Sequence, residues 1–228
     1  MQRILILNSK GGCGKTTITT NLASYYAHEG YNTALMDFDP QGSSTQWLSV
    51  RSLEKPIIHG IVAHANTSMG QTSAFQNRVP HGTEKVILDT PAGINGEQLK
   101  KLIAQTDVVI IPVLPSPIDI HAVSRFIQEL LLGAKIRHTQ VRVCVIANRI
   151  KRQTNVYKSL KRFLNNLDMP FLTELRDSQN YVHAAERGLG IYEMWDSRVA
   201  KDKDEWQPML DWLGRETHVQ TTSGFIPQ

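Results

Sequence analysis

Short runs of consecutive apolar residues recur along the chain and alternate with segments of helical periodicity. The runs span residues 4–7, 33–38, 86–89, 108–113, 141–147 and, more briefly, 171–173. Strands that are apolar on both faces are typical of a parallel sheet covered by helices on both sides. The pattern therefore predicts that these runs are buried strands of one sheet.

The segments between these runs carry apolar residues at helical spacing. Two helical faces are visible: Ile18, Leu22 and Tyr25 in the first, and Ile120, Val123, Ile127 and Leu130 in the second. Alternating strands and helices indicate an α/β fold, a doubly wound and mostly parallel sheet flanked by helices. Residues 56–82 lack a clear period, so we expect an irregular connection there. We expect residues 1–216 to form a single domain and residues 217–228 to form a polar C-terminal tail.

The composition narrows the classes of protein to which the chain can belong. Its 228 residues include 25 Lys and Arg, 21 Asp and Glu and 2 Cys, with a formal net charge of +4. Two cysteines are too few for a disulfide scaffold, and no Cys or His cluster has metal-ligand spacing. No apolar run is long enough to cross a bilayer, and the first residues lack the pattern of a signal peptide. We therefore expect a cytoplasmic protein.

The segment between the first strand and the first helix is rich in glycine and lysine. It reads Ser9-Lys10-Gly11-Gly12-Cys13-Gly14-Lys15-Thr16-Thr17. Glycines let the backbone curl so that several N–H groups point at phosphate oxygens, and the amino-terminal end of the next helix favours the same anion. Lys15 is expected to neutralise the β- and γ-phosphates of a nucleotide, and the Thr16 hydroxyl to coordinate Mg²⁺. The segment therefore predicts a phosphate-binding loop, or P-loop.

Acidic residues lie at the ends of two other predicted strands. Asp37 and Asp39 belong to the segment 37–42, which reads DFDPQG, and Asp89 ends the strand at residues 86–89. Because the carboxyl ends of parallel strands meet at one edge of a sheet, these carboxylates should lie near the bound phosphates. Mg²⁺ prefers oxygen ligands, so Asp89 is a candidate ligand, directly or through water.

The glycine-rich segment resembles the deviant Walker A motif of the ParA/MinD family of P-loop ATPases. Residue 9 is Ser where the usual P-loop has Gly, but residues 10–16 read KGGCGKT, and Lys10 matches the signature lysine of that family. The DFDPQG segment is similar to the D-x-D-P-Q-G segment of the same family. The resemblance is strongest with small ParA-like proteins, which partition plasmids or chromosomes or position protein cargo such as carboxysomes. It implies ATP and Mg²⁺ as cofactors.

The resemblance also implies roles for individual residues. Lys10, Lys15 and Asp39 would be catalytic, with Asp39 orienting or activating the attacking water. In relatives, two ATP-bound subunits face each other, so Lys10 would reach the nucleotide of the partner in an ATP-dependent homodimer. The metal site would include Thr16, Asp37 and Asp89. The nucleotide would contact Lys10, Gly11, Gly12, Cys13, Gly14, Lys15, Thr16 and Thr17, with Asn148 and Arg176 beside the base; for Asn148 a simple strand-end cap is the alternative.

A long stretch of the chain contains no acidic residue. Residues 130–167 include no Asp or Glu, and the predicted helix at 155–167 has an apolar stripe and a basic stripe. The candidate DNA-binding residues are Lys151, Arg152, Lys158, Lys161 and Arg162. Such side chains bind the DNA backbone irrespective of sequence. The stretch favours non-specific DNA binding and nucleoid association, with an ordinary solvated helix face as the alternative.

Three other functions are alternatives. A MinD-like ATPase acting at the membrane ends in an amphipathic helix, whereas residues 217–228 contain no Lys, Arg, Asp or Glu, so we expect no membrane association. An ATPase like the nitrogenase iron protein needs cluster-binding cysteines, whereas Cys13 falls in the P-loop and Cys144 in a strand. A metabolic P-loop ligase or kinase needs an acceptor pocket, which residues 40–80 do not indicate. We therefore expect a positioning ATPase whose slow hydrolysis is stimulated by a ParB-like or cargo-adaptor protein.

Overall fold

A single sheet of seven strands organises the computed structural model of the protein, which describes residues 1–64, 78–133 and 140–215. The strands are β1 (Gln2–Ile6), β2 (Thr33–Asp37), β3 (Ile58–Val62), β4 (Lys85–Asp89), β5 (Val108–Val113), β6 (Arg142–Ile150) and β7 (Phe171–Arg176). Their order is β3-β2-β4-β1-β5-β6-β7, and every neighbouring pair is parallel. The predicted α/β fold is therefore confirmed.

Helices follow most of the strands and cover both faces of the sheet. They are α1 (Lys15–His28), α2 (Ser43–Ser49), α3 (Gly96–Ile103), α4 (Pro117–Gly133), α5 (Asn155–Asn165), α6 (Gln179–Ala185) and α7 (Asp196–Gly214), with a short 3₁₀-helix at Ile191–Glu193. Parallel strands need such crossovers, because a strand that returns in the same direction must first pass back along a face of the sheet. Because these helical crossovers pass along both faces of the sheet, the arrangement is doubly wound.

Two hydrophobic clusters lie on opposite faces of the sheet, because successive side chains of a strand point to opposite sides. Leu5 of β1 belongs to the cluster that contains Phe126 of α4 and Leu160 of α5. Ile4, its neighbour on β1, belongs to the cluster that contains Leu22 of α1 and Trp206 of α7. Both faces of the central strands are thus buried, which explains the continuous apolar runs in the sequence.

All six predicted strands are present, with ends that differ by a few residues, but the prediction for residues 56–82 was wrong in part. Residues Ile58–Val62 form β3, which pairs with β2 at one edge of the sheet. Ile58 is buried, while His59, Gly60 and Val62 are exposed. An edge strand of this kind lacks the continuous apolar run of a central strand, so the sequence pattern did not reveal it.

Parts of the earlier predictions concern residues outside the described ranges. Residues 65–77 belong to the predicted irregular connection, and residues 216–228 include the predicted tail. The single domain over residues 1–216 and the polar tail over 217–228 therefore stay predictions. In the part of the chain that the structure describes, no helix has both the length and the apolar character of a membrane span.

Candidate functional site

The glycine-rich segment connects the carboxyl end of β1 to the start of α1, as predicted. Gly12 and Gly14 have φ values of 74° and 90°, a left-handed conformation that residues with a side chain rarely adopt. A β-carbon at Gly14 would also lie 2.2 Å from the side-chain nitrogen of Asn148. The curled path of the loop therefore requires glycine at these two positions.

Lys15 is the first residue of α1, and its side chain is turned into the loop. The residue is 7% exposed, and its Nζ donates a hydrogen bond of 3.0 Å to the backbone oxygen of Lys10. Helix α1 has no side-chain cap and no acidic residue in its first turn. The free N–H groups of the helix and the ammonium of Lys15 thus create a positive site at the carboxyl edge of the sheet. An anion is the ligand that this arrangement favours.

A cleft of about 700 Å³ lies beside the loop. The predicted site residues that line it are Gly11, Gly12, Gly14, Lys15, Thr16, Thr17, Asp39, Asn148 and Arg176. The cleft is also lined by Gln41, Ser43, Pro91, Ala92, Arg149, residues 177–179, Tyr181 and Val182. Its volume is typical of a small-molecule or cofactor site. The structure thus brings the loop, one of the predicted acidic residues and both predicted base-side residues into one cavity.

Two predicted loop contacts, Lys10 and Cys13, do not line the cleft with the others. Cys13 is fully buried, and its Sγ lies 3.4 Å from the backbone oxygen of Lys10, so only its backbone is placed to contact a ligand. The backbone N–H of Lys10 donates to Asn8 Oδ1 over 3.0 Å. Within the described ranges, the Lys10 side chain makes no hydrogen bond or ion pair.

Asp37 ends β2 and holds the loop that carries Asp39. Its carboxylate is fully buried and accepts hydrogen bonds from Asp39 N at 3.0 Å, Thr45 N at 3.0 Å and Thr45 Oγ1 at 2.8 Å. These contacts fix the backbone at Asp39 and the start of α2. They give Asp37 a positioning role in this structure, and its part in the Mg²⁺ site stays a prediction.

Asp39 itself reaches the cleft, as expected for a residue acting on the attacking water. It is partly buried, and its Oδ1 accepts a hydrogen bond from Gln41 N at 3.0 Å. The next turn passes through Gly42, whose φ of 65° lets the chain enter α2 directly. Asp39 is thereby held by its own turn at the cavity, and its catalytic role stays a prediction.

Asp89 ends β4 opposite Asp37 in the sheet register and has the features of a cation ligand. It is fully buried, and its Oδ2 has no hydrogen-bond partner among the described residues; the buried Ser44 Oγ has none either. Burial raises the pKa of the Asp89 carboxyl to about 6, and the nearby charge of Asp37 adds to this rise. The other oxygen, Oδ1, accepts a hydrogen bond from the Thr19 hydroxyl at 3.4 Å. A buried carboxylate oxygen without a partner, as Oδ2 is among the described residues, is unfavourable.

A Mg²⁺ ion would satisfy these oxygen atoms, because it prefers hard oxygen ligands and retains several water molecules. Asp89 and the Thr16 hydroxyl would hold the ion, and Ser44 lies close to them. Bound there, Mg²⁺ would neutralise charge on the phosphates of a nucleotide. Ser44 was not predicted from the sequence, although its position two residues after the DFDPQG segment was the available signal.

The raised pKa of Asp89 predicts a pH dependence of stability. Between the ordinary value of 3.8 and the folded value of about 6, the folded protein binds more protons at this group than the unfolded chain. The contribution of Asp89 to the free energy of unfolding should therefore increase as the pH falls from about 6 to 4, by about 2 to 3 kcal/mol. Urea unfolding of the metal-free protein would measure this change in the free energy of unfolding. Suitable conditions are about pH 4.5, between the two pKa values, and about pH 7.5, above both.

The matched variant for this prediction is Asp89→Asn, which lacks the titrating group. The stability difference between the variant and the wild-type protein should be greatest at neutral pH and decrease in acid. Parallel pH profiles for the two proteins would show that Asp89 has an ordinary pKa, and would remove this reason for expecting a cation beside it.

The two predicted base-side residues lie at the ends of neighbouring strands and are already engaged with the protein. Asn148 Nδ2 donates to Cys13 O at 2.8 Å, and its Oδ1 accepts from Arg149 N at 2.9 Å. Arg176 forms a bidentate ion pair with the fully buried Asp202, at 2.6 and 2.9 Å. Asn148 therefore supports the P-loop, and its contact with a base, like that of Arg176, stays a prediction.

The predicted basic surface is partly neutralised by acidic residues of neighbouring elements. Lys161 lies 3.0 Å from Glu174, and Arg152 lies 3.4 Å from both Glu174 and Glu205. Lys151 pairs in the same way with Asp177 at 3.4 Å. The sequence did not reveal these pairs, because the acids belong to β7, to the residue after it and to α7, all outside residues 130–167.

Two of the predicted DNA-binding residues differ from the others. Lys158 and Arg162 lie one helical turn apart on α5, are exposed, and have no ion pair with any residue that the structure describes. They are therefore the basic side chains of this surface whose charge is fully available to a polyanion.

Comparison with known proteins identifies relatives over nearly the whole chain. Maintenance of carboxysome distribution protein A of Halothiobacillus neapolitanus is 26% identical over 213 residues, covering 91% of this chain and 94% of that protein. The protein of the same name from Gloeobacter kilaueensis is 25% identical and covers 93% and 94%. The chromosome-partitioning ATPase Soj of Thermus thermophilus is 48% identical over 59 residues, which are 26% of this chain and 23% of Soj.

Solved structures share the fold at low sequence identity. The ATP complex of McdA from Cyanothece has a TM-score of 0.71 at 15% identity and covers 96% of this chain and 99% of that one. A plasmid partition protein of Borrelia burgdorferi bound to AMPPNP has a TM-score of 0.70 at 16% identity, with 92% and 99% covered. A model of the CobQ/CobB/MinD/ParA nucleotide-binding domain matches residues 4–191. The chain therefore belongs to the CobQ/CobB/MinD/ParA nucleotide-binding domain family.

Proposed function

We propose that the protein is a ParA-like ATPase that forms an ATP-dependent sandwich dimer, binds DNA non-specifically and positions a cargo. The observation that carries this proposal is the set of groups at one site: a positive P-loop and the Asp39 carboxylate in the cleft, and Asp89 Oδ2, which has no hydrogen-bond partner among the described residues. Phosphoryl transfer to water needs these parts, since it depends on positioning and on neutralising charge. The names of the relatives, which concern carboxysome distribution and chromosome partitioning, support the class of process.

Lys10 supports the dimer in this proposal. Its ammonium is free of contacts within the described ranges, although it lies in the P-loop next to residues that line the cleft. A second copy of the chain facing the cleft would bring one such ammonium to each nucleotide. ATP would then be a ligand of the dimer, and hydrolysis would release the two subunits.

Lys158 and Arg162 support the DNA-binding part of the proposal. Each dimer would present two copies of this exposed pair, whereas the other candidates, Lys151, Arg152 and Lys161, must first leave their acidic partners. The proposal therefore places the main DNA contact on α5. ATP-dependent dimerisation would double the number of phosphate contacts and so control DNA binding.

The charge-reversal variant Lys158→Glu with Arg162→Glu tests this contact. We expect it to lose ATP-dependent binding to non-specific duplex DNA at least about 100-fold while it still forms a dimer with ATP. With the milder Lys158→Ala and Arg162→Ala pair, the slope of log K against log salt should fall by about 3 to 4 per dimer. Fluorescence anisotropy at several salt concentrations measures both quantities.

Lys100→Glu with Lys101→Glu on α3 is the matched control, since both side chains are exposed and the change in charge is the same. This control should keep most of the DNA affinity. Equal losses in the two reversed variants would mean that net charge, and not the α5 surface, determines binding. DNA binding that is unaffected in both would reject the DNA-binding part of the proposal.

The cargo would act through a ParB-like or adaptor protein that stimulates an otherwise slow hydrolysis, and both proteins would be located on the nucleoid in the cytoplasm. A variant that binds ATP without hydrolysing it would hold the dimer together and so retain its partner. Capture of partners with Asp39→Ala in the presence of Mg-ATP, compared with capture in ADP, tests this part. A partner retained equally in both nucleotides would speak against an ATP-switched interaction.

A further inference from the structure

A buried ion pair joins α1, the end of α2 and the loop that follows α6, and residues of all three helices line the cleft. Arg51, just after α2, and Glu193, in the 3₁₀-helix, have side chains that are only 6% and 1% exposed. Their guanidinium and carboxylate groups meet in a bidentate arrangement at 2.6 and 2.8 Å. Neither residue lines the cleft, and neither was singled out by its sequence.

All five N–H donors of Arg51 have an acceptor, which is unusual for an arginine. Two N–H groups bind Glu193, one binds Gly188 O at 2.9 Å, and two bind Pro56 O at 3.0 and 3.3 Å. The guanidinium also lies 5.5 Å from the ring centre of Trp47 in α2. Arg51 therefore holds the α2–β3 connection against the loop that follows α6.

Glu193 completes the connection to α1, the helix that begins in the P-loop. Its Oε2 also accepts hydrogen bonds from Ser24 Oγ at 2.8 Å and from Gly190 N at 3.1 Å. Burial raises the pKa of Glu193, but the hydrogen bonds from Arg51, Gly190 and Ser24 outweigh it, so that its pKa lies below the ordinary value. Glu193 is therefore an ionised carboxylate that accepts hydrogen bonds from Arg51, Ser24 and Gly190.

The backbones at this junction approach so closely that the arrangement has little freedom. A β-carbon at Gly188 would lie 2.5 Å from the α-carbon of Arg51, and one at Gly190 would lie 2.4 Å from Ser24 Oγ. Gly188 also has a φ of 62°. The loop between α6 and the 3₁₀-helix is thus closely packed against both α1 and the end of α2.

Each of the three joined elements begins at the cleft. Helix α1 starts with Lys15, and α2 follows the Asp39 turn. Helix α6 begins at Gln179, the last residue of the segment 176–179 that lines the cleft. In the proposed function the P-loop binds the phosphates, which leaves the α6 residues of the cleft for the nucleoside. The ion pair and its hydrogen bonds connect α1 and the end of α2 to the loop after α6.

We propose that Arg51 and Glu193 are positioning residues whose buried ion pair sets the α6 wall against the P-loop helix and thereby sets the affinity for the nucleoside part of ATP. A buried ion pair contributes little net stability compared with apolar side chains, but it fixes one geometry because its hydrogen bonds are directional. The proposal rests on the nucleotide binding in the proposed function, and it is independent of dimerisation and DNA binding.

The test compares Mg-ATP with tripolyphosphate, which carries the phosphates without the nucleoside, by isothermal titration calorimetry. In Arg51→Met with Glu193→Met, the dissociation constant for Mg-ATP should rise about tenfold, while that for tripolyphosphate stays within about twofold of wild type. Arg51→Lys keeps the charge but has three donors in place of five, so it should show the same selective loss to a smaller degree. If the double variant fails to fold, Arg51→Lys alone decides.

The control is Glu97→Met with Lys100→Met, which removes an exposed ion pair of α3. It should bind both ligands as the wild-type protein does. Unchanged affinity for Mg-ATP in folded Arg51 variants would overturn the proposal, and so would an equal loss for both ligands, since the pair would then support only the P-loop. A wild-type protein that binds neither ligand would refute the proposed function and the inference with it.

Discussion

Replacing Lys15 with alanine is expected to weaken nucleotide binding by about 30- to 100-fold. Lys15 is the buried cation of the P-loop and the first residue of α1, so its ammonium would contact the β- and γ-phosphates at the positive end of the helix. Loss of a charged hydrogen-bond donor from a triphosphate costs about 2 to 3 kcal/mol, which is a loss of about 30- to 100-fold in affinity. Calorimetric titration with Mg-ATP measures this loss directly.

The fold should survive this substitution, because the only hydrogen bond that the Lys15 ammonium makes to the described part of the protein is to the carbonyl of Lys10. Thermal unfolding without nucleotide should therefore change little, while the increase in melting temperature that Mg-ATP causes in the wild-type protein should disappear. Lys10→Ala is the informative comparison, since Lys10 does not line the cleft of its own chain. It should keep nucleotide binding and lose ATP-dependent dimerisation. Normal dimers of Lys10→Ala would remove the cross-subunit role of this lysine.

Replacing Asp39 with alanine is expected to lower ATP hydrolysis by about 10² to 10⁴ while nucleotide binding is kept. Asp39 lines the cleft and is held by the hydrogen bonds of its turn and by the backbone contact to Asp37. In the proposed function its carboxylate orients the attacking water and does not bind phosphate. With hydrolysis blocked, the ATP-bound dimer should accumulate. Phosphate release and light scattering after size-exclusion chromatography measure the two effects.

Asp204→Ala is the matched control for this variant, because Asp204 is an exposed carboxylate of α7 that does not line the cleft. It should hydrolyse ATP at the wild-type rate. Asp39→Ala that hydrolyses ATP normally would remove the assigned role of Asp39. A protein that remains monomeric with saturating Mg-ATP and blocked hydrolysis would contradict the switch on which the proposed function depends.

The strands that were predicted from the sequence are those that are buried on both faces, because such burial requires a continuous run of apolar residues. Ile4 to Leu7 are all fully buried, and their side chains alternate between the two clusters. The apolar run is therefore continuous and can be recognised in the sequence. Strand β3 is stabilised through its pairing with β2, and most of its own residues remain exposed. The position of β3 is determined by its pairing with β2 and not by the pattern of its own five residues. The local pattern therefore did not predict this strand.

The same distinction applies to the site. The P-loop was predictable because glycine at positions 12 and 14 and lysine at 15 are required by the loop itself. The ion pairs of Lys161 and Arg152 with Glu174 join residues that are far apart in the sequence, so a count of charges along residues 130–167 could not detect them. The Arg51–Glu193 pair escaped prediction for the same reason, since its partners are 142 residues apart.

The close approach of Gly14 to Asn148 has a consequence for how the motif can be transplanted. The carbonyl of Cys13 and the amide of Asn148 are bonded across 135 residues of sequence, and Asn148 occupies the space that any side chain at position 14 would need. A peptide or fragment that ended before β6 would contain every residue of the phosphate-binding motif. It would lack the Asn148 side chain, against which the loop packs. Grafting these few residues onto another scaffold should therefore fail to reproduce the loop conformation, unless a neighbouring strand of that scaffold supplies an amide side chain at the position of Asn148.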